Sequence, residues 1–111
     1  MNELYYYSHR YSDPDPSVQR WNLSESKRRF EEAREWCRYV LWAPWIILAD
    51  NGVDESLVWP VIEAAIAASA GILLDLDGSE MSDGMRRERG IAERLGKDVV
   101  TIGLRRKDEA T

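Results

Sequence analysis

Glu88 is the residue whose type and position most strongly indicate chemistry. The helix predicted around it has an apolar stripe with the spacing of a face that packs on a sheet, formed by Met85, Ile91, Ala92 and Leu95. Glu88 falls on the same stripe, so its carboxylate points toward the sheet. Burying a carboxylate costs free energy and therefore suggests a role. The alternative is an acid near a helix N-terminus that the helix dipole favours, with neighbours that are only partly buried.

Two further carboxylates lie at the end of a predicted buried strand. Asp75 and Asp77 alternate with leucines, so both acids point to one side of the strand end. They could act as a helix N-cap or as turn residues in the following loop. They could instead be active-site carboxylates, because two acids converge there with Glu88 close by.

Polar groups suited to binding a ligand lie in two predicted loops. Ser82–Gly84 opens a helix, and the backbone N–H groups and positive dipole end of such a helix form a potential anion site, although any capped helix has these features. The first predicted strand ends in a hydroxyl, an imidazole and a guanidinium, supplied by Ser8, His9 and Arg10. A histidine alone is more often a surface side chain, but the three groups together make this strand end a candidate site.

Four apolar runs predict the strands that position these residues. Continuous apolar character is what burial of a strand on both faces requires. The predicted strands are Leu4–Tyr7, Trp45–Ala49, Ile72–Leu76 and Val99–Leu104.

Three helices are predicted between these strands. Asp15 and Pro16 could be an N-cap followed by a first-turn proline. The start of the second helix is given as a range because Pro60 is tolerated only in the first turn. The predicted helices are Ser24–Leu41 at least, a segment that begins between Asp54 and Pro60 and ends before Gly71, and about Gly84–Leu95, closed by Gly96.

Strands that alternate with helices predict an α/β fold with three layers. We expect a flavodoxin- or Rossmann-like parallel sheet of about four strands in the order 2-1-3-4. Ligands in such sheets bind outside the carboxyl ends of the strands, where the strand order reverses. The first and third strands flank that point. The residues at the predicted carboxyl ends of the four strands are Tyr7–Arg10, Ala49–Asn51 (which includes Asp50), Asp75–Gly78 and Gly103–Leu104.

Length and composition limit the classes of function. The 111 residues suit one domain, over residues 1–104, followed by a polar tail over residues 105–111. The net charge of -5 argues against binding to nucleic-acid polymers, which normally needs a basic face. His9 and Cys37 are too few for a metal site of the Cys/His type. We therefore expect no metal.

The expected location is the cytoplasm. The first residues lack the basic and apolar regions of a signal peptide. The longest mostly apolar run, Val61–Leu76, falls short of the roughly 20 apolar residues of a membrane span. A single cysteine allows no disulfide within the chain, which suits a reducing compartment.

Abundant tryptophan predicts self-association. A small domain with five tryptophans is expected to expose an apolar patch, and such patches mark interfaces. We expect a homodimer or a larger homo-oligomer. Four tryptophans are assigned to the core or to that interface rather than to a platform for stacking bases, namely Trp36, Trp42, Trp45 and Trp59.

Three segments together resemble a known superfamily. Tyr5–Ser8 precedes a polar turn, Gly84–Ala92 has the pattern G-x-x-x-E-x-G-x-A, and Gly96–Val99 makes a short G-K-x-V step into the last strand. With these motifs the chain resembles the nucleoside 2-deoxyribosyltransferase superfamily, which includes the 2′-deoxynucleoside 5′-phosphate N-hydrolases. The resemblance covers nearly the whole chain in element order.

The resemblance implies cleavage or exchange of the N-glycosidic bond of a nucleoside or nucleoside 5′-monophosphate, with no cofactor. Glu88 corresponds to the nucleophile, and Asp75 or Asp77 to the acid that protonates or orients the departing base. The residues expected to bind substrate are Tyr7, Ser8, His9, Arg10, Asp50, Ser82 and Gly84. Water as acceptor would make the protein a hydrolase, and a second base would make it a transferase. The alternative function is a nucleotide-binding or sensing module of the same fold without turnover.

Overall fold

A four-stranded sheet, with all strands parallel, forms the centre of the protein. The computed structural model describes residues 3–104, so the predicted tail at 105–111 lies outside the described residues. Helices precede or follow each strand. The elements in chain order are β1 (Leu4–Ser8), α1 (Pro16–Trp36), β2 (Val40–Trp42), α2 (Pro44–Asp50), α3 (Glu55–Ala68), β3 (Gly71–Asp75), α4 (Asp83–Arg94) and β4 (Asp98–Ile102).

The strand order is β2-β1-β3-β4, which confirms the predicted order 2-1-3-4 and the α/β class. In the register of β1, Tyr6 lies opposite Trp42 of β2 and opposite Ile72 of β3. β3 in turn pairs with β4, with Leu73 opposite Val100. The strand order reverses between β1 and β3, so the loops that follow these two strands flank the expected ligand position.

Side chains of β1 alternate between two layers of helices. The Tyr7 ring packs against Phe30 of α1, with ring centroids 5.3 Å apart. Tyr6 points to the opposite face, where its hydroxyl contacts Glu88 of α4. Because successive strand residues face opposite sides, one layer contains α1 and the other contains α4. α3 also contacts α4, and α2 contacts both α1 and α3.

The predicted second strand, Trp45–Ala49, is wrong: this run lies within helix α2. A short continuous apolar run does not distinguish a buried strand from a buried helix. Pro44 is at the start of the helix, where its missing N–H costs nothing. The actual second strand is Val40–Trp42, three residues long, and its first N–H donates to the carbonyl of Glu3 at 2.9 Å.

The first predicted helix is correspondingly too long at its C-terminus and too short at its N-terminus. α1 ends at Trp36 because Tyr39 stacks on Tyr5 of β1, with centroids 3.9 Å apart, and the chain then joins the sheet. Its start confirms the alternative based on Asp15, whose carboxylate accepts a hydrogen bond from the Ser17 N–H at 2.9 Å. The apolar spacing that continues to Leu41 thus belongs to two different elements.

The remaining boundaries agree more closely. α3 begins at Glu55 and continues through Pro60, so the proline lies in the second turn, not the first. Gly96 has a φ of +69° directly after α4, which confirms it as the residue that closes the helix. β4 ends at Ile102, before the predicted Leu104. Across residues 3–104, none of the helices combines the length and apolar character that crossing a bilayer requires.

We predict that Gly71→Ala destabilises the fold by about 2 kcal/mol, the usual cost of overpacking. A methyl group at Gly71 would lie 2.7 Å from the backbone oxygen of Asp98 and would also collide with the Tyr5 ring. Backbone of a neighbouring strand cannot move aside without breaking the β3–β4 pairing. Urea unfolding followed by circular dichroism measures the change.

Gly90→Ala is the matched control. Gly90 lies inside α4 and a methyl group there meets no atom within 4 Å. Alanine should therefore stabilise the helix by about 0.5–1 kcal/mol. Equal stability of the two variants would contradict the close approach of β3, β4 and Tyr5 around Gly71.

Candidate functional site

A cleft of about 760 Å³ lies at the carboxyl ends of β1 and β3. Its walls come from the loop after β1, from α2 and α3, and from the loop and first turns of α4. The cleft is thus at the point where the strand order reverses. Its lining includes the side chains or backbone of His9, Tyr11, Asp13, Trp45, Glu55, Trp59, Ser82, Asp83, Gly84, Arg86 and Glu88.

Glu88 is the buried acid of this cleft. The residue is 5 % exposed and lies on the face of α4 that packs on the sheet, beside Met85 and Ile91. Both carboxylate oxygens accept hydrogen bonds from β1: Oε2 from the Tyr6 hydroxyl, and Oε1 from the Ser8 hydroxyl at 2.7 Å. The donors are two residues apart on one strand, so they point to the same face and hold the carboxylate in one orientation.

No cation compensates this carboxylate within residues 3–104. Burial raises the pKa of Glu88 to about 7, and the hydrogen bonds from Tyr6 and Ser8 offset only part of that rise. The same carboxylate and burial raise the pKa of the Tyr6 hydroxyl, so this tyrosine stays a hydrogen-bond donor. A buried, oriented and unpaired carboxylate that lines a cleft has the features of a functional group rather than of a structural ion pair.

The N-terminus of α4 opens on the cleft beside Glu88. Ser82 caps the helix, and its hydroxyl oxygen accepts a hydrogen bond from the Met85 N–H at 3.3 Å. The exposed Asp83 carboxylate pairs with Arg86 at 2.8 Å. The side chains of this turn are therefore engaged within the turn itself.

Aromatic side chains line another part of the cleft. Trp45 is buried, its indole N–H donates to the carbonyl of Tyr7 at 2.9 Å, and its ring lies 5.8 Å from that of Tyr11. Trp59 of α3 is half-buried and carries the Arg87 guanidinium over its ring at 3.8 Å. Such flat, apolar surfaces suit a planar heterocycle. Trp45 and Trp59 thus combine the predicted packing role with a position in the cleft.

Asp75 lies on the other face of the sheet from Glu88. It is fully buried, and its carboxylate accepts hydrogen bonds from Arg29 of α1 at 2.8 and 3.0 Å and from the Tyr7 hydroxyl at 2.6 Å. Burial alone would raise the pKa of Asp75, but the bonds from Arg29 and Tyr7 lower it below its ordinary value. Asp75 is therefore an ionised member of a buried ion pair and does not line the cleft.

Asp77 shares this environment. Its Oδ1 lies 3.4 Å from Arg29, which confirms that Asp75 and Asp77 point to the same side. Its Oδ2 lies 3.1 Å from His9 Nε2 and 3.5 Å from the Arg10 guanidinium. The other ring nitrogen of His9 lies 2.6 Å from the Ser26 hydroxyl of α1. These contacts tie the loops after β1 and β3 to α1.

The structure separates the predicted site residues into two groups. The cleft is lined by four of them, namely His9, Ser82, Gly84 and Glu88. Ser8 does not line the cleft but donates a hydrogen bond to Glu88. Asp50 lies elsewhere, in an exposed ion pair with Lys27 at 2.6 Å at the end of α2. The residues that do not line the cleft are Tyr7, Arg10, Asp50, Asp75 and Asp77.

Several cleft residues were not predicted. Tyr6 could have been found from the alternation of side chains along β1. It is two residues before Ser8, so both side chains point to the same face of the sheet. Asp13 and Glu55 come from loops and helix starts that are distant in sequence, and no spacing in the sequence connects them. Within residues 3–104, no three His, Cys, Asp or Glu side chains are grouped as a metal site would require.

Comparison with known proteins finds no protein-family model and no curated protein that matches this sequence.

Glu88→Gln should change how stability depends on pH. The carboxyl group has its ordinary pKa of 4.5 in the unfolded chain and about 7 in the folded protein. Between these values the unfolded chain loses a proton that the folded protein keeps, so burial of Glu88 lowers the stability as the pH rises. The penalty is absent below pH 4.5 and is complete above about 7, where it is on the order of 3 kcal/mol.

Relative to the unsubstituted protein, Glu88→Gln should therefore gain stability as the pH rises from 4.5 to about 7 and gain no more above it. Urea unfolding at a series of pH values measures the difference. Glu93→Gln, at an exposed position of the same helix, is the control and should show no such trend. Parallel stability curves for Glu88→Gln and the unsubstituted protein would contradict the buried, unpaired carboxylate.

Proposed function

We propose that the protein cleaves or exchanges the N-glycosidic bond of a nucleoside or nucleoside 5′-monophosphate, with Glu88 as the nucleophile. The observation that carries this proposal is the Glu88 carboxylate, buried without a cation at the cleft and held by Tyr6 and Ser8. The resemblance of Gly84–Ala92 to the nucleoside 2-deoxyribosyltransferase pattern supports the same assignment.

In the proposed reaction, a Glu88 oxygen attacks the anomeric carbon of the sugar as the bond to the base breaks. The product is a glycosyl ester of Glu88, as in retaining glycosidases. The hydroxyls of Tyr6 and Ser8 keep the carboxylate oriented, which places the attacking oxygen before substrate arrives. Attack on the ester by water completes a hydrolysis, and attack by a second base completes a transfer.

The shape of the cleft supports a nucleoside-sized ligand. Its volume of about 760 Å³ is within the range of small-molecule sites. The indole rings of Trp45 and Trp59 line the cleft where a base would lie, with the Arg87 guanidinium over one face of the Trp59 ring, while Glu88 faces the position of the sugar. The backbone at Ser82–Gly84 is the part of the cleft that would contact the sugar or a 5′-phosphate.

A second candidate is a module that binds the nucleotide without turnover. The observation that favours it is the position of Asp75 and Asp77, which contact Arg29 and do not line the cleft. Neither is placed to protonate a departing base beside Glu88. Binding without base release would identify this second function.

We predict that Glu88→Gln abolishes base release while the fold and ligand binding persist. Glutamine keeps the volume and one acceptor oxygen but cannot form the glycosyl ester, so turnover should fall by about 10⁴-fold or more. Incubation with a panel of nucleosides and nucleotides, followed by chromatography for free base, measures the loss. Glu93→Gln, on the same helix but outside the cleft, should retain full activity.

Base release by Glu88→Gln at the unsubstituted rate would remove Glu88 from the mechanism. Calorimetric titration of the same variant with the substrate found in the panel tests binding separately. Retained binding with lost turnover is the expected combination.

We also expect the protein to be a homodimer or a larger homo-oligomer. Several large apolar side chains are well exposed on the single chain, including Trp21, Trp36, Ile47 and Leu57. Surface of this kind is typical of an interface between subunits. Light scattering at micromolar concentration should give at least twice the mass of one chain, and a monomeric mass would contradict the expectation.

A further inference from the structure

We infer that the substrate of this cleft is a nucleoside whose base carries a permanent positive charge, such as a pyridinium, and that it carries no phosphate. The inference rests on the proposed function, since it names the substrate class of the same site. Three observations carry it: the absence of a second buried acid among the described residues that line the cleft, the charge of the cleft, and the engagement of the side chains suggested for substrate binding.

The first observation concerns the departing base. A neutral base leaves a sugar readily only when a nearby acid protonates it. The acids at the carboxyl end of β3, Asp75 and Asp77, contact Arg29, and Asp75 lies on the face of the sheet opposite Glu88. Asp75 also has a lowered pKa, since hydrogen bonds from Arg29 and Tyr7 outweigh its burial, so it keeps no proton to donate. The other acids that line the cleft within residues 3–104, namely Asp13, Glu55 and Asp83, are not buried, so Glu88 has no second buried acid beside it. A base that is already cationic needs no such acid.

The second observation is the charge of the cleft. Four carboxylates line it, from Asp13, Glu55, Asp83 and Glu88, and among the described residues Arg86 is the one Lys or Arg side chain that does so. Arg86 is also paired with Asp83. Clefts lined by one sign of charge raise the local concentration of ligands of the opposite sign. The electrostatic potential thus favours a cation.

The third observation concerns phosphate. The Ser8 hydroxyl donates to Glu88, and the Ser82 hydroxyl caps its own helix. The Arg10 guanidinium donates to the carbonyl of Leu76 at 3.2 Å and lies 3.5 Å from Asp77, so it does not line the cleft. These are three of the side chains that the resemblance suggested for binding the substrate. A phosphate beside Glu88 and Asp83 would meet like charge, and Arg86, the one Lys or Arg that lines the cleft within residues 3–104, is already paired with Asp83.

The chemical step balances without any added reactant other than water. A Glu88 oxygen forms a bond to the anomeric carbon while the carbon–nitrogen bond breaks, and its electron pair returns to the ring nitrogen. The base therefore departs as a neutral heterocycle, and the positive charge of the substrate cancels the negative charge of the carboxylate. Water then adds to the ester, which releases the sugar and one proton and restores the Glu88 carboxylate. An approaching cation also offsets the cost of the buried carboxylate.

The test compares four probes on the full chain. Nicotinamide riboside has a pyridinium base and no phosphate, and nicotinamide mononucleotide adds the 5′-phosphate. Adenosine and 2′-deoxyadenosine have neutral bases. Free base is measured by chromatography, with Glu88→Gln as the background for spontaneous hydrolysis. We expect kcat/KM for nicotinamide riboside to exceed that for each other probe by about tenfold or more.

The outcomes separate this inference from the proposed function. Faster release from adenosine or 2′-deoxyadenosine would overturn the cationic base and leave the N-glycosidase intact. Faster release of base from nicotinamide mononucleotide than from nicotinamide riboside would overturn the inference that the substrate carries no phosphate. Release from none of the probes above the Glu88→Gln background would overturn the inference, while the wider panel of nucleosides and nucleotides decides the proposed function.

A pair of variants tests the charge of the cleft directly. Glu55→Gln combined with Asp83→Asn removes two negative charges from exposed positions of the cleft. It should lower kcat/KM for nicotinamide riboside by about tenfold, since each charge near a bound cation contributes roughly 1 kcal/mol or less. Glu35→Gln combined with Glu63→Gln removes the same charge from exposed helix positions outside the cleft and should leave kcat/KM within about twofold. Equal losses in the two double variants would overturn the argument from cleft charge.

Discussion

The contact of β1 with Glu88 is the interaction on which the site depends. Tyr6 and Ser8 reach the carboxylate from one face of the sheet, and the central position of β1 makes both residues fully buried. The bonds join the strand to α4 across 80 or more residues of sequence. Because a carboxylate in this position loses its hydration, its two hydroxyl partners are what make its burial tolerable.

The sheet separates two acids into different roles. On the side of α1, Asp75 is paired with Arg29 and accepts a hydrogen bond from the Tyr7 hydroxyl, and these contacts tie that helix to the ends of the strands. Glu88, on the side of α4, has hydroxyl partners but no cation among residues 3–104, and it lines open space. The Asp75 carboxylate therefore has a structural role. The Glu88 carboxylate is ionised at a cost in desolvation free energy, which contact with an incoming ligand can offset. This division follows from the alternation of Tyr6 and Tyr7 on one strand.

The candidate site could be predicted from the sequence only where its residues share one element. Glu88 was identified because the apolar stripe of α4 fixes its direction toward the sheet, and Ser82–Gly84 because they form the start of the same helix. Asp75 and Asp77 were assigned to the correct strand end, but they contact Arg29 and not the surroundings of Glu88. The position of Arg29, on a helix distant in sequence, is set by the tertiary structure. No sequence spacing connects Asp13, Glu55 and Trp59, which meet at the cleft only when α3 packs beside α4.

The fold, like the site, was predicted correctly where the local sequence pattern is sufficient and wrongly where tertiary packing decides. Local pattern determined three of the four strands, the helix faces and the closing glycine at Gly96, and the alternation of strands and helices was sufficient for the parallel order 2-1-3-4. The strand that the local pattern missed, β2 at Val40–Trp42, is too short to carry a periodic signal and is defined by pairing with β1. Trp45–Ala49 is helical because packing and Pro44, rather than its apolar character, decide between two buried conformations. Sequence alone thus determined most of the element order, whereas the tertiary structure decided how far each segment is buried and what each buried charge contacts.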